Sequence, residues 1–171
     1  MIYKIKGGFT LIELLIVISI IGLLSTVVLA SMSSAKNKAN FARTKLEFRS
    51  LERALTLYLM DNNYVYPPDT ARDFPAAFTS YLTTGSWPHP AWPGSYYDWE
   101  NWDDPDRVGQ KIYQISVRFC PAGGNISTCK FPNESWASGF NVNSALYYCV
   151  SGYCRSHVDE AASYPGYCVN C

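Results

Sequence analysis

The feature that most constrains this 171-residue chain is an apolar run close to its N-terminus. Residues 14–32 are dominated by Leu, Ile, Val and Ala and contain no proline and no charge. A helix needs about 20 apolar residues to cross a bilayer, so this run predicts a membrane-spanning helix. Glu13 stands at the start of the run, where an ionised carboxylate is costly unless it has a partner, and we therefore expect Glu13 to serve a function.

The residues around Glu13 form a specific motif. A basic leader ends in Gly7-Gly8 and is followed by Phe-Thr-Leu-Ile-Glu at residues 9–13. This arrangement resembles the class III signal of type IV pilins and their pseudopilin relatives. The resemblance implies that a membrane peptidase cleaves after Gly8 and that the new terminal residue, Phe9, is N-methylated. It also implies that Glu13 pairs with the terminal amine of a neighbouring subunit during filament assembly.

The chemistry of this pair follows from the helix itself. A helix N-terminus carries partial positive charge and unpaired N–H groups, and a freed Phe9 amine adds a full charge. Glu13 lies one turn further along, so its carboxylate can meet the amine of a neighbour that is staggered along the helix axis. A wrong stagger leaves both charges unpaired. We therefore expect the pair to set the register between subunits.

The family resemblance also implies partners and a location. The partners are other copies of the chain or related pilins, a prepilin peptidase/methylase, an inner-membrane assembly platform, and membrane lipid before assembly. The precursor is expected to be a single-pass protein of the inner (cytoplasmic) membrane with its head on the extracytoplasmic side, and a cell-surface filament follows after assembly. The main prediction is a structural subunit of a type IV pilus-like filament. A type II secretion pseudopilin or a minor pilin is the alternative within the family.

Two further interpretations of the N-terminus compete with this one. Val-Leu-Ala at residues 28–30, followed by Ser31, resembles the cleavage site of an ordinary secretory signal. The apolar run is longer than the roughly 7–15 residues of such a signal and includes Glu13, which argues against that interpretation. An alternative from another functional class is a monomeric, membrane-tethered adhesin or sugar-binding module.

The pattern beyond the apolar run predicts an α+β fold. Apolar residues recur at steps of three and four as far as residue 59, which indicates an amphipathic continuation of the same helix, and Pro67 prevents further extension. We expect a pilin-like lollipop, in which one long helix packs against a small antiparallel β-sheet head. The predicted leader, membrane and assembly helix, amphipathic half and globular head occupy residues 1–8, 9–32, 33–63 and 64–171.

The head divides into a loop region and a β region. Residues 64–110 are rich in Pro and Trp and predict a loop with one short helix at 75–84. Exposed Trp and Tyr in the stretch 87–102 would favour binding of sugar rings or of another protein, whereas buried ones would only cover the loop. Residues 111–171 form the disulfide-bonded β region.

Alternation of apolar and polar residues locates the strands of the β region. Residues 111–119 alternate well and predict one strand. Residues 145–150 and 153–158, joined by Ser-Gly, predict a hairpin with a two-residue turn.

All six cysteines lie in the last 52 residues of the chain, which indicates a disulfide framework in an oxidising space. The predicted hairpin places Cys149 opposite Cys154 at a non-hydrogen-bonded site, where Cα atoms come to about 4.5 Å, so we expect this pair to be bonded. The other four cysteines allow three pairings, of which Cys120–Cys129 together with Cys168–Cys171 is preferred.

Little else in the sequence predicts chemistry. Five acidic side chains offer oxygen ligands that would suit Ca²⁺, although their spacing is not that of an EF-hand. These residues are Asp98, Glu100, Asp103, Asp104 and Asp106. A redox pair at Cys168 and Cys171, or a zinc site shared with Cys149 and Cys154, would need reduced thiols that an exported domain does not keep. We therefore predict no catalysis and no cofactor, and a calcium ion at these acidic residues is kept only as the alternative.

Overall fold

The computed structural model describes residues 8, 10–70, 73–158 and 164–171. One long helix, α1, is followed by a four-stranded sheet, which confirms the predicted α+β class. The helix and strands are α1 (Leu11–Asp61), β1 (Tyr96–Asp103), β2 (Lys111–Arg118), β3 (Ala145–Ser151) and β4 (Tyr167–Cys168). Three short 3₁₀ helices lie at Ala76–Tyr81, Ile126–Thr128 and Ser135–Ala137.

Helix α1 ends at an Asp-Asn-Asn cluster, residues 61–63, a few residues before Pro67. Asn63 adopts a positive φ of 54° and the backbone N–H of Tyr64 donates to the carbonyl of Leu59 at 2.8 Å. A left-handed residue followed by such a bond is the usual way in which a helix satisfies its last carbonyls, and asparagine tolerates this conformation well.

The chain divides into two compact units, with the boundary between Lys38 and Ala39. In the first unit the large apolar side chains of α1, such as Leu15 and Leu23, are exposed. An 18-residue window of the helix has a mean hydropathy of 2.7, so α1 is long and apolar enough to cross a membrane. Exposed apolar surface of this extent calls for lipid or for other helices as a partner.

In the second unit, the amphipathic part of α1 packs against one face of the sheet. Phe48 and Leu51 of the helix are fully buried together with Trp99 and Ile115 of the sheet. The Phe48 ring lies edge-on to that of Tyr97 at a centroid distance of 5.8 Å. We call this side of the sheet the inner face.

Two tyrosines of the sheet also bond to carboxylates of the helix. The Tyr97 hydroxyl donates to Glu47 Oε2 at 2.5 Å, and the Tyr148 hydroxyl donates to Glu52 Oε2 at 2.8 Å. Burial, and then the nearby Glu47, raise the pKa of Tyr97, so its hydroxyl keeps the proton that it donates. The bonds fix the helix in both position and rotation on the inner face.

The strand order is β1-β2-β3-β4. The first three strands are antiparallel, with an irregularity in register between Tyr113 and Gln114, but β4 runs parallel to β3. The sheet is therefore mixed, where an antiparallel one was expected. The parallel strand β4 is only two residues long, and it pairs with Leu146 and Tyr147 of β3.

Strand β1 lies in the stretch that was predicted to be loop. Tyr97 and Trp99 point to the inner face, whereas Asp98 and Glu100 point to the other, outer face, and all four are buried. Aromatic residues alternating with acidic ones do form a strand pattern. The surrounding Trp and Pro residues favoured a loop. Acidic residues are also rarely expected in a buried strand, so the alternation was not recognised as one.

Two other predicted elements are also corrected. Residues 153–158 are not a strand, since the Arg155 backbone N–H donates to the Gln114 side chain at 3.1 Å and this segment covers the outer face of the sheet. The predicted helix at 75–84 is the six-residue 3₁₀ helix Ala76–Tyr81, which begins after Pro75 and buries Phe78.

Candidate functional site

The start of α1 forms a reciprocal cap between Thr10 and Glu13. The backbone N–H and the hydroxyl of Thr10 donate to Glu13 Oε2 at 2.8 and 2.7 Å, and the Glu13 backbone N–H donates to the Thr10 hydroxyl at 3.3 Å. This is a capping box, in which Thr at the N-cap and Glu three residues later satisfy each other's free donors. Gly8 is exposed beside it, whereas Gly7 and Phe9 lie outside the described residues.

The cap adds a role for Glu13 that the motif alone did not predict. The Thr-x-x-Glu spacing is itself a readable capping signal. In the single chain the carboxylate is hydrogen-bonded to its own helix end, at the exposed start of the apolar segment. Its position there is therefore set before any neighbouring subunit is present.

The outer face of the sheet holds a buried polar network that sequence reasoning missed. The Arg118 guanidinium donates to Glu100 Oε1 at 2.6 Å and to Asp98 Oδ2 at 3.3 Å. It also donates to the carbonyls of Asn143 and Ser156 at 2.6 and 2.9 Å. The only available signal was the alternation of Asp98 and Glu100 with aromatic residues. The pairing of β1 with β2 places these two carboxylates on the same face of the sheet as Arg118.

Glu100 is the centre of this network. Ser116 and Gln114 both donate to its carboxylate, the latter at 3.0 Å. Burial raises the pKa of Glu100 to about 8, Arg118 opposes the rise, and the neighbouring carboxylate of Asp98 adds to it. Two buried carboxyl groups share one guanidinium here, so the second negative charge is only partly compensated and Glu100 holds its proton more tightly than an exposed carboxyl group does.

A cleft of about 150 Å³ opens onto the network. Asp69, Trp102 and His157 line it together with the charged side chains of the network. Its residues provide hydrogen-bonding and ionic groups, but no nucleophile paired with a base is among them.

The remaining predicted calcium ligands each face a cation of the same chain. Asp103 pairs with Lys111 at 2.9 Å, and Arg155 pairs with Asp104 and Asp106 at 3.3 and 2.5 Å. No group of three or more His, Cys, Asp or Glu side chains in the described part of the chain is placed to hold a metal ion. The calcium site stays a prediction.

The structure joins the six cysteines as three local disulfides. They connect Cys120 with Cys129, Cys149 with Cys154, and Cys168 with Cys171. The Cα atoms of the second pair are 5.5 Å apart, because that disulfide closes a bend at the end of β3 and does not cross a hairpin. All described cysteines are bonded, so no thiol is available for redox or zinc chemistry in this state.

The last residues of the chain lie along the β3 edge. The Val169 backbone N–H donates to the carbonyl of Tyr147 at 2.9 Å. The Asn170 side chain then bonds to both backbone groups of Cys149, each at 2.8 Å. The short disulfide ring closed by Cys168 and Cys171 contains this asparagine.

The Trp-rich stretch serves the core. Trp92 and Trp99 are buried, and the other three of the five Trp residues are half-buried. Trp87 stacks on Phe78 with a centroid distance of 5.3 Å. Trp99 donates its indole N–H to the carbonyl of Pro67 at 3.0 Å. These contacts fit the interpretation in which the aromatics cover the loop, and they leave no exposed Trp for a sugar ring.

Comparisons with known proteins find one family model and several curated relatives that match part of the chain. Residues 3–29 match the family model described as the prokaryotic N-terminal methylation motif. The chain is similar to the type II secretion system core protein G of Aeromonas hydrophila, with 38% identity over 58 residues, which is 34% of this chain and 41% of that protein. The protein of the same name from Escherichia coli K12 is 40% identical over 62 residues, or 36% of this chain and 42% of that protein.

A third relative shows the same extent of similarity. The type II secretion system core protein G of Vibrio cholerae is 38% identical over 62 residues, again 36% of this chain and 42% of the relative. The aligned part of the chain thus spans about two fifths of the length of these curated relatives. No solved structure matches the chain significantly. Residues 3–29 of this chain therefore carry the prokaryotic N-terminal methylation motif, and about a third of the chain is similar to the type II secretion system core protein G.

Proposed function

We propose that this chain is a structural subunit of a pilus-like filament of the pseudopilin type, made as a prepilin. The observation that carries the proposal is the methylation motif at residues 3–29, placed directly before an exposed apolar helix. A helix whose apolar first segment is exposed over the described residues, in a chain whose second unit has its own core, suits a subunit that assembles through that segment.

Processing would occur at the start of the described helix. Cleavage after Gly8 would release the Phe9 amine, which would then be methylated. Glu13 would exchange its bonds to Thr10 for the amine of a neighbouring subunit. The capping box supports this step, because it holds the carboxylate at the helix end without consuming the charge.

The partners and location follow from the same proposal. The precursor would span the inner membrane once, with the head on the extracytoplasmic side. There it would meet the prepilin peptidase/methylase, the assembly platform and other copies or related pilins. The three disulfides support an oxidising location for the head.

The named relatives favour a secretion pseudopilin over a pilus subunit. Each is a type II secretion system core protein G. The alternative of a monomeric sugar-binding module has less support, because the indole rings that it would use are buried or half-buried. The role we propose is structural and not enzymatic.

The N-terminal residue of the mature protein tests this proposal. The surface fraction of the source cells is sheared, and the protein in it is analysed by mass spectrometry. We expect sheared filaments whose subunits begin at N-methylated Phe9. A soluble protein that begins at Ser31 would contradict the proposal and would indicate a secreted module.

A further inference from the structure

Two lysines follow the apolar run of α1 at a distance that matches the edge of a bilayer. The run at residues 14–32 is about 28 Å long at 1.5 Å per residue, close to the roughly 30 Å of a hydrocarbon core. Lys36 and Lys38 lie about 6 and 9 Å beyond its end. The headgroup layer is about 5–8 Å thick on each side of the core, so the flexible ends of both side chains reach it.

The helix around these two lysines supplies no counter-charge. Both side chains are exposed, and neither forms an ion pair with any residue that the structure describes. Residues 14–46 contain four Lys or Arg and no Asp or Glu, although the whole chain has a formal net charge of zero. The helix therefore offers Lys36 and Lys38 no carboxylate within two turns on either side.

The two lysines point to nearly opposite sides of the helix. Residues two positions apart are separated by about 200° around the axis, so their side chains do not form one patch. A folded protein that docks on one side of the helix would meet only one of them. Lipid headgroups surround a membrane helix, and the large apolar side chains of the preceding segment, such as Leu15 and Leu23, are likewise exposed on every side. The arrangement favours lipid as the partner.

The same segment of a second copy does not provide the missing charge. Because residues 14–46 lack Asp and Glu, a neighbouring helix at the same level brings further cations and no carboxylate. The phosphate groups of anionic lipids do carry the opposite charge, and basic residues beside a membrane segment are attracted to such lipids.

We propose that Lys36 and Lys38 bind the phosphate groups of anionic phospholipids at the C-terminal end of the membrane segment. Phosphatidylglycerol has a net negative charge and would be preferred over phosphatidylcholine, in which the choline offsets the phosphate. The two contacts would fix the depth of the helix in the bilayer. This inference rests on the membrane-spanning part of the proposed function and names the class of lipid that the chain binds.

Lipid selectivity in vesicles tests the inference. The full-length chain is reconstituted in phosphatidylcholine vesicles with a trace of spin-labelled phosphatidylglycerol or, in parallel, of spin-labelled phosphatidylcholine. Electron paramagnetic resonance measures the fraction of each labelled lipid that the protein immobilises. We expect the association constant to favour phosphatidylglycerol by about threefold or more, and Lys36→Gln with Lys38→Gln to lower this preference at least about twofold. Lys4 and Lys6 of the leader are present in every sample, so the difference reports on positions 36 and 38.

Two double variants control for charge and for position. Lys36→Arg with Lys38→Arg keeps both charges and should retain the preference. Arg53→Gln with Lys130→Gln removes two exposed charges from the second unit and should also retain it. Near-UV circular dichroism verifies that the head of each variant is folded. An unchanged preference in the Lys-to-Gln variant, or an equal loss in the Arg53 and Lys130 control, would overturn the inference.

The result can be separated from the failure of the proposed function. Flotation of the vesicles verifies that the chain is inserted, and an inserted chain without a preference for phosphatidylglycerol would contradict this inference alone. A chain that does not float with the vesicles would contradict both the membrane-spanning helix and the lipid contact. Absence of filaments from cells would contradict the proposed function and leave the lipid contact standing.

Discussion

The two halves of α1 have the same secondary structure but bury their apolar residues in different ways. The first half exposes Leu, Ile and Val on every side, and its polar end is capped by Thr10 and Glu13. The second half buries a single stripe that includes Phe48, and two tyrosines of the sheet fix its rotation. Burial inside the chain requires only one apolar face, whereas a helix that is apolar all round needs lipid or other helices.

The largest expected effect is a loss of head stability, which a substitution in the second half of α1 should cause and one in the first half should not. Phe48→Ala should lower the free energy of unfolding of the head by about 3–5 kcal/mol, because the ring is fully buried and its loss leaves a cavity. Near-UV circular dichroism of the full chain in detergent, followed during heating, measures this. The matched control is Leu23→Ala in the exposed half, which should leave the transition unchanged. Equal losses in both variants would contradict the comparison.

The buried network adds a dependence on pH to the second unit alone. The pKa of Glu100 in the folded head is raised to about 8, above its ordinary value of 4.5. The folded state therefore binds this proton more tightly than the unfolded state does. The resulting stability is present below pH 4.5 and is lost as the pH rises through 8.

We expect a loss on the order of 2–4 kcal/mol over that range. Thermal unfolding of the full chain between pH 4.5 and 9 measures it. Glu100→Gln, which keeps the shape but cannot ionise, should flatten the profile. If the stability of the unsubstituted protein rises over this pH range instead, Glu100 does not hold a proton in the folded head and the prediction is wrong.

Two substitutions of Glu13 separate its role in capping the helix from the role of its negative charge. Glu13→Ala and Glu13→Gln should both lower the filament yield at least about tenfold, with cleavage after Gly8 unchanged. Glutamine still accepts the bond from Thr10 and completes a capping box, so only the charge is lost. Filament yield is measured in sheared fractions and is normalised to cleaved subunit in the membrane.

A Gln variant that assembles normally would remove the charge pair from the proposal and leave capping as the role of Glu13. Thr10→Ser, which keeps the hydroxyl, is the control for the cap.

The smallest effect concerns the tyrosine bonds of the second half. Tyr148→Phe should lower the free energy of unfolding by about 1 kcal/mol, because Glu52 loses its bonded hydroxyl. Tyr97→Phe should cost a similar amount, partly offset because Glu47 keeps its pair with Arg43. Urea titrations of the full chain measure both. No change in either variant would mean that apolar packing alone positions the helix.

The N-terminal methylation motif could be predicted because its information is local. Gly7, Gly8 and Glu13 lie within seven consecutive residues, and the apolar run follows directly. The extent of α1 was also predictable, since the apolar run leads directly into an amphipathic pattern and the Asp-Asn-Asn cluster at residues 61–63 ends it. Such features depend on spacing along the chain and do not require knowledge of strand pairing.

The sheet was harder to predict because both of its faces are buried. Glu100 and Arg118 face one another only through the register of β1 with β2. Alternation of apolar and polar residues indicates a strand when one face meets water, and here the polar face is covered by the segment around Arg155. Cys149 and Cys154 are bonded as expected, although the hairpin from which the pairing was predicted does not form. The two cysteines are only five positions apart, so a bend at the end of β3 also brings them together.

The bonds that Val169 and Asn170 make to β3 have a consequence for how this sheet could pair with another chain. An edge strand with free backbone groups is a template for strand addition, and such addition would fuse heads into aggregates with no defined stagger. Two backbone groups of β3 are instead occupied by a side-chain amide at the end of the chain. The backbone of Cys149 is therefore closed to strand addition by another chain, because a side chain of the same chain already occupies both of its hydrogen-bonding groups.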